Sequence, residues 1–279
     1  MGKLLGGLNH KDIEFYGKAV DQAGTPLADV AVYASVLYNT GLTSGMDKSE
    51  TKSDARGLFS ISGMKGRTLG LSLVKPGYEY DGEKGPFHFT ELVGEKDRYT
   101  PDKENPVILT MWKLQSAEPM VQFDRRSFKL PANGTPVRIS LATGKQVSNG
   151  GDLIIETKHP LAEPGKWLIR YPWSVTISVP GGGLIESTSR RMYEAPESGY
   201  SAAFKYEETG EEESFKGQFD KRFYLKTRAG AYARLVVDLS TQTNPKDSSY
   251  IGIIWWLNPA PGHRNLEFDP AKMVPLAKP

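Results

Sequence analysis

Side chains that could hold a metal ion or attack a substrate are scattered along this chain rather than grouped. Its histidines lie about seventy or more residues apart, so no two of them form the closely spaced pair of a local zinc motif. The 279 residues include no cysteine, which excludes thiol catalysis, disulfides and cysteine-ligated zinc. The sequence therefore predicts no metal site and no cofactor. The histidines are His10, His88, His159 and His263.

A run of glutamates is the densest group of charged side chains. Five of them lie within seven residues, but calcium also requires a fixed loop spacing with Asp, Asn and backbone carbonyl ligands. We expect the run to be the solvated tip of a hairpin, since such charge runs are usually exposed. It consists of Glu207, Glu208, Glu211, Glu212 and Glu213.

Glycoside hydrolysis would need two acids that face each other across a cleft. Nothing in the sequence pairs the acids of the second half, and no Gly-x-Ser-x-Gly elbow is present. We therefore interpret the chain as having no catalytic residues, with a polysaccharide-acting enzyme or its carbohydrate-binding domain as the alternative. The acids available for a pair are Glu156, Glu186, Glu194, Asp238 and Glu267.

Three aromatic residues are the strongest candidates for ligand binding. Trp167, Tyr171 and Trp173 lie within seven residues, at the entry to a strand in which alternate residues share a face. If exposed together, they would form a platform on which sugar rings could stack. Pro172 removes a ladder donor and suits an edge strand. The alternative is packing in the core, which the usual burial of such rings favours.

The elements that must position these residues are short strands. Side chains alternate with a period of two in many segments, which are separated by turns rich in Gly, Pro and Asp, and no long helix is predicted. Residues 250–257 are apolar on both faces, which predicts a central strand covered on both sides. We therefore expect an all-β protein made of sandwiches. The other segments are 15–21, 30–36, 58–61, 69–73, 137–141, 153–157, 173–179, 223–227 and 232–239.

The first quarter of the chain carries a pattern that is typical of one family. It reads Gly17-x-x-Val20-Asp21-x-x-Gly24-x-Pro26-Leu27-Ala28-x-Val30-x-Val32, followed by Thr51-x-Ser53-Asp54-x-x-Gly57-x-Phe59-x-Ile61. This pattern resembles the carboxypeptidase regulatory-like domain, with a looser match as far as residues 107–109. The resemblance implies a transthyretin-like (prealbumin-like) sandwich, a location outside the cytoplasm and no activity of its own. Residues 38–50 depart from the pattern and are interpreted as a polar loop.

A domain boundary is predicted near residues 115–120, where Ser116-Ala117-Glu118-Pro119 is typical of a linker. In this interpretation, residues 12–114 form the transthyretin-like sandwich and residues 120–269 form a second, larger sandwich of the jelly-roll kind. The second half is also similar to C-terminal regions that follow regulatory-like domains in bacterial envelope proteins. That similarity implies a recurring pair of domains without a known activity.

Charge and the N-terminal residues limit location and partners. A net charge of +2 without a cluster of Lys and Arg makes nucleic acid an unexpected partner. Residues 1–10 are too short for a signal peptide or a membrane helix, so we expect an export leader to be absent from this chain. The sequence thus predicts a non-enzymatic secreted, periplasmic or cell-surface protein without a membrane span. The expected partner is a glycan, another envelope protein, or a second copy that pairs through edge strands.

Overall fold

The fold of this protein is given by a computed structural model. It describes residues 11–39, 44–80, 82, 84–90, 98–163, 166, 168–211, 215–243 and 249–274. The chain divides into two compact units, unit 1 with residues 1–115 and unit 2 with residues 116–279. Each unit has its own core of buried apolar side chains.

The described residues of unit 1 form eight strands in two four-stranded sheets. The strands are β1 (Lys11–Asp21), β2 (Ala31–Asn39), β3 (Ser44–Lys52), β4 (Leu58–Gly66), β5 (Thr68–Val74), β6 (Tyr78–Tyr80), β7 (Phe87–His88) and β8 (Val107–Lys113). One sheet has the order β4-β1-β8-β6 and the other has the order β3-β2-β5-β7. Strand β1 pairs with β8 in parallel, so the first and last strands of the unit are neighbours.

Two turns of unit 1 have the same hydrogen-bond pattern. The Oδ1 atoms of Asp21 and Asp54 each accept hydrogen bonds from the backbone N–H groups two and four residues further on. Gly24 and Gly57 follow at φ values of 85° and 76°, in the left-handed region that favours glycine. The Asp-x-x-Gly spacing in the sequence therefore forms a tight turn in both places.

The core of unit 1 is built from the alternate side chains of its strands. The ring of Phe15 is fully buried, and its centroid lies 4.7 Å from that of Phe87 and 5.1 Å from that of Tyr99. Gly17 leaves space for the ring of Phe59, since a Cβ at residue 17 would lie 2.3 Å from that ring. Close ring packing thus explains why this strand carries a glycine in its interior.

Strand β3 is the longest element of unit 1 that the sequence interpretation misses. The expected loop over residues 38–50 is wrong, because residues 44–52 pair with β2 along their whole length. β3 lies at the edge of its sheet, and most of its side chains are exposed. A strand with no buried face needs no apolar alternation, so the period-two pattern is absent there.

In unit 2, the part of the chain that the structure describes forms ten strands in two five-stranded sheets. The strands are β9 (Val121–Leu130), β10 (Val137–Ser140), β11 (Lys145–Val147), β12 (Leu153–Lys158), β13 (Trp173–Ser178), β14 (Gly183–Ser187), β15 (Ala203–Glu208), β16 (Gln218–Lys226), β17 (Tyr232–Ser240) and β18 (Ser249–Asn258). The sheets have the orders β11-β10-β12-β13-β15 and β14-β16-β17-β18-β9. A 3-10 turn at Pro270–Lys272 follows.

The two tryptophans of β18 lie on opposite faces of its sheet. Trp255 is fully buried in the core, where its ring stacks on Phe123 at a centroid distance of 4.6 Å. Trp256 lies on the outer face beneath the guanidinium of Arg234, which is 4.4 Å from the ring centroid. Leu266, from the C-terminal segment, packs on that outer face and is fully buried. The strand is therefore covered on both sides, as its sequence predicts.

The all-β prediction is confirmed, because the described residues form multi-stranded sheets and no α-helix. In unit 2, β10 to β13 lie in one sheet and β16 to β18 lie in the other. In the described part of the chain, no helix is long and apolar enough to cross a membrane.

Candidate ligand-binding groove

The structure places two of the three candidate aromatic residues in the core of unit 2. Tyr171 is 8% exposed and Trp173 is 3% exposed. Trp167 lies outside the described residues. An open stacking platform that includes Tyr171 and Trp173 is therefore wrong, and the core alternative describes both rings. Alternation along β13 places Trp173 on the same face as Val175 and Ile177, which are buried with it.

Hydrogen bonds fix both of these rings. The indole Nε1 of Trp173 donates to the carbonyl oxygen of Lys216 at 2.8 Å. The hydroxyl of Tyr171 lies 2.6 Å from Oγ1 of Thr241, and either oxygen can be the donor. Buried polar atoms of aromatic side chains usually find such partners. The two rings thus form the rigid back of a larger aromatic cluster.

Further aromatic rings continue this cluster toward the surface. Phe219 is parallel to Trp173, with an interplanar angle of 6° at 6.1 Å between centroids. Tyr206 lies 5.0 Å from Trp173 and 5.6 Å from Phe219. Phe215 meets the edge of Tyr171 at 5.1 Å. Because Tyr206 and Phe215 are only partly buried, they carry the cluster to the solvent.

These rings line a groove with a volume of about 930 Å³. We call it the β16 groove, and it is lined by Tyr206, residues 215–221 and residues 238–241. It exists because β14 pairs with β16 only along residues 222–226. In the described part of the chain, the first half of β16 therefore has β17 on one side and an open edge on the other.

The charges of the β16 groove are largely compensated. Lys221 forms an ion pair with Glu186 and lies 6.0 Å from the ring centroid of Phe204. Asp238 forms an ion pair with Arg125. The remaining charged groups are one cation and one anion, from Lys216 and Asp220. The groove thus presents hydroxyl, amide and carboxylate groups beside aromatic rings, without an excess of either charge.

Two acids face each other at the margin of the groove. Asp220 and Asp238 are direct partners on β16 and β17, and such antiparallel partners have Cβ atoms about 4.5–5.5 Å apart. Sequence reasoning names Asp238 but cannot pair it, because the register of the two strands is a property of the fold. Gly252 leaves space for the ion pair of Asp238 with Arg125, since a Cβ there would lie 2.5 Å from Oδ1 of Asp238.

A serine–histidine pair also lies in unit 2. His159 Nε2 is 2.6 Å from Oγ of Ser249, and His159 Nδ1 is 3.0 Å from the carbonyl oxygen of Pro160. A nucleophilic serine needs such a base, but it must also reach a substrate. Ser249 is fully buried, so the contact joins two strand ends and does not form an open active site.

The glutamate run begins beside the groove. Glu207 and Glu208 end β15, and Glu208 accepts a hydrogen bond from the hydroxyl of Tyr206 at 3.0 Å. Glu212 and Glu213 lie outside the described residues. Sequence reasoning missed Tyr206, Phe215 and the open edge of β16. The available signal was weak, namely that aromatic residues flank the glutamate run on both sides.

Comparisons of this chain with protein-family models, with curated proteins and with solved structures find no match. A function must therefore be argued from the fold and the groove.

Proposed function

We propose that this is a non-catalytic binding protein of the secreted or cell-envelope kind, and that the β16 groove of unit 2 binds a glycan. The observation that carries the proposal is the chemistry of the groove lining. Two partly exposed rings, Tyr206 and Phe215, line the same groove as the polar groups of Gln218, Asp220 and Ser240. A sugar ring has an apolar C–H face and a rim of hydroxyls, which match a ring surface and such polar groups.

A polysaccharide-acting enzyme is the second candidate, and the facing pair of Asp220 and Asp238 favours it. Retaining glycosidases hold their two carboxyl groups about 5–5.5 Å apart. The ion pair with Arg125 supports the binding proposal instead, because it engages the Asp238 carboxylate that such an enzyme would use as acid or nucleophile. Release of reducing ends from a bound polysaccharide would favour the enzyme over the binding protein.

The proposed extracytoplasmic location and the proposed self-association are supported by features of unit 1. The resemblance of residues 17–61 to the regulatory-like domain supports an extracytoplasmic protein. Self-association is supported by β3, which is an edge strand with exposed side chains and an open edge in the described part of the chain. Light scattering over a wide range of protein concentration tests it, since a strict monomer would contradict this part of the proposal.

Affinity electrophoresis through gels that contain single polysaccharides tests glycan binding. We expect at least one polysaccharide to retard the protein, and Asp220→Asn to weaken that binding about tenfold, because a charge-assisted hydrogen bond is lost. Tyr206→Leu removes the stacking ring, whereas Tyr206→Phe keeps it and controls for the lost hydroxyl. Glu197→Gln, at an exposed acid elsewhere in unit 2, is the matched charge control.

The expected pattern is weaker retardation for Asp220→Asn and Tyr206→Leu, with Tyr206→Phe and Glu197→Gln close to the parent protein. Thermal unfolding of each variant shows whether the fold is retained. Absence of retardation by a broad panel of neutral and acidic polysaccharides would contradict the proposed function. Equal retardation of Asp220→Asn and the parent protein would place the binding site elsewhere.

A further inference from the structure

Unit 1 has a depression of its own, with a volume of about 760 Å³. It lies on the outer face of the sheet that contains β1, and we call it the β1 pocket. It is lined by residues 16–18 of β1, by residues 58–60 of β4 and by a wall of Lys103, Glu104 and Pro106, with Arg56 at the rim. The wall stands beside β1 because β8 begins at Val107, opposite Gly17. The loop before β8 is thus the third side of the pocket.

The lining of the β1 pocket carries an excess of positive charge. Three cations face one acid among the lining residues, namely Lys18, Arg56 and Lys103 against Glu104. Arg56 has a long ion pair with Asp54, at 3.4 Å. Lys18 and Lys103 form no ion pair with a described residue. Two ammonium groups therefore remain available to a ligand.

The two turns that border the pocket are anchored by aspartates. Asp102 Oδ1 accepts hydrogen bonds from the backbone N–H groups of Glu104 at 2.9 Å and Asn105 at 3.2 Å. The side-chain amide of Asn105 adds a bond of 2.8 Å to the other carboxylate oxygen. On the opposite side, Asp54 anchors the turn that carries Arg56. Lys103 and Arg56 thus project from turns whose backbones are fixed before a ligand arrives.

Hydroxyl groups complete the floor of the pocket. Tyr16 and Ser60 are direct partners on β1 and β4, and both line the pocket. The Tyr16 hydroxyl donates to the carboxylate of Glu14, and this hydrogen bond raises the pKa of Tyr16. The single hydrogen of the Tyr16 hydroxyl is thus engaged, whereas Ser60 is exposed and offers a donor. Ser60 and the cations of the lining complement an oxyanion, with Glu104 as the acid that stands among them.

We propose that the β1 pocket is a binding site for an oxyanion, a phosphate or carboxylate group held by Lys18 and Lys103. The site lies in unit 1 and is independent of the β16 groove. Phosphate and carboxylate share the chemistry that the pocket recognises, so the probes must separate them. The rim cation Arg56 adds a planar group that can bind two oxygens of either anion.

Titration of the full chain with inorganic phosphate and, separately, with acetate tests the site by amide chemical shifts. We expect saturable shifts at the amides of Lys18 and Ser60 with at least one of the two anions. Lys18→Gln combined with Lys103→Gln should weaken that binding about tenfold or more, since charge-assisted hydrogen bonds are lost. Lys65→Gln, at the far end of β4, is the matched control, because Lys65 pairs with Asp12 and does not line the pocket.

Each outcome decides the proposal. Saturation by phosphate alone or by acetate alone supports it and identifies the anion class. Absence of saturable shifts with both anions would overturn it. So would equal shifts in the double variant, whose fold is checked by the dispersion of the same amide spectrum.

Discussion

The β16 groove of unit 2 and the β1 pocket of unit 1 are of comparable size but are lined in opposite ways. In the groove, Lys221 and Asp238 are already paired with Glu186 and Arg125, and aromatic rings supply much of the surface. In the pocket, two lysines have no acidic partner among the described residues. Because the charges of the groove are paired, the shape of the groove and its aromatic contacts should determine which ligand binds there. The unpaired lysines of the pocket should instead favour a ligand of negative charge.

The two sites also differ in depth. The wall of the groove continues into the core through Phe219 and Trp173, which are 9% and 3% exposed. The floor of the pocket includes outward-facing side chains, such as Tyr16, Lys18 and Ser60, together with the buried ring of Phe59. Removal of a buried ring behind the groove should therefore cost more folding free energy than removal of an outward-facing side chain of the pocket.

The largest effect that tests this difference is expected for Trp173→Ala. Loss of a buried indole leaves a cavity and should lower the free energy of unfolding of unit 2 by about 3–5 kcal/mol. Leu58→Ala, at the half-buried floor of the pocket, should cost unit 1 about 1 kcal/mol. Urea unfolding followed by resolved amide signals of each unit measures both values. Similar costs for the two variants would show that the sites do not differ in depth.

A smaller effect is expected on the two ligand affinities when the salt concentration is varied. Raising the ionic strength from about 0.02 M to about 0.5 M shortens the Debye length severalfold, which weakens attraction between exposed charges. We expect the dissociation constant of the anion at the β1 pocket to rise severalfold, and that of the glycan at the β16 groove to change less than about twofold. Titrations at both salt concentrations provide the comparison. A glycan affinity that falls with salt as steeply as the anion affinity would contradict the role given to paired charges.

The smallest effect is expected for the stability of the Asp54 turn at the pocket rim, which should fall when the pH is lowered. Hydrogen bonding from the backbone N–H of Leu58 is the main cause that lowers the pKa of Asp54. A lowered pKa in the folded state means that the charged form stabilises the turn. This contribution is complete above the unfolded pKa of about 4 and is lost as the pH falls through the folded value.

Unit 2 offers a matched turn without a charge, in which Thr227 Oγ1 accepts from the N–H of Ala231 at 3.1 Å and Gly230 has a φ of 81°. Hydrogen exchange between pH 5 and pH 3 should show the Leu58 amide losing protection relative to the Ala231 amide. In Asp54→Asn this relative loss should disappear. Parallel behaviour of the two amides in the parent protein would show that the carboxylate does not control the turn.

Much of the strand framework could be predicted from the sequence because buried faces leave a period of two. The segment 173–179 shows this clearly, since its alternate residues are buried in the structure. Strand β3 could not be found in this way, because neither of its faces is buried. The Asp-x-x-Gly turns were predictable from local chemistry alone.

The candidate site was less accessible to sequence reasoning. For Trp173 the sequence leaves a ligand platform and core packing as alternatives, because whether an alternating ring faces the core or the solvent depends on which sheet covers it. Asp220 and Asp238 lie opposite each other because of the register between β16 and β17. A single sequence does not reveal that register. The open edge of β16 depends on where β14 ends, which is also a tertiary property.

The parallel pairing of β1 with β8 has a consequence for the order in which unit 1 is made. Residue 17 has residue 107 as its partner, so β1 has β4 on one side but lacks its second neighbour until some ninety further residues have left the ribosome. Contacts between residues so distant in sequence are slow to close. A growing chain that stops before residue 107 therefore leaves one edge of β1 unpaired, and an unpaired strand edge is prone to pair with other chains.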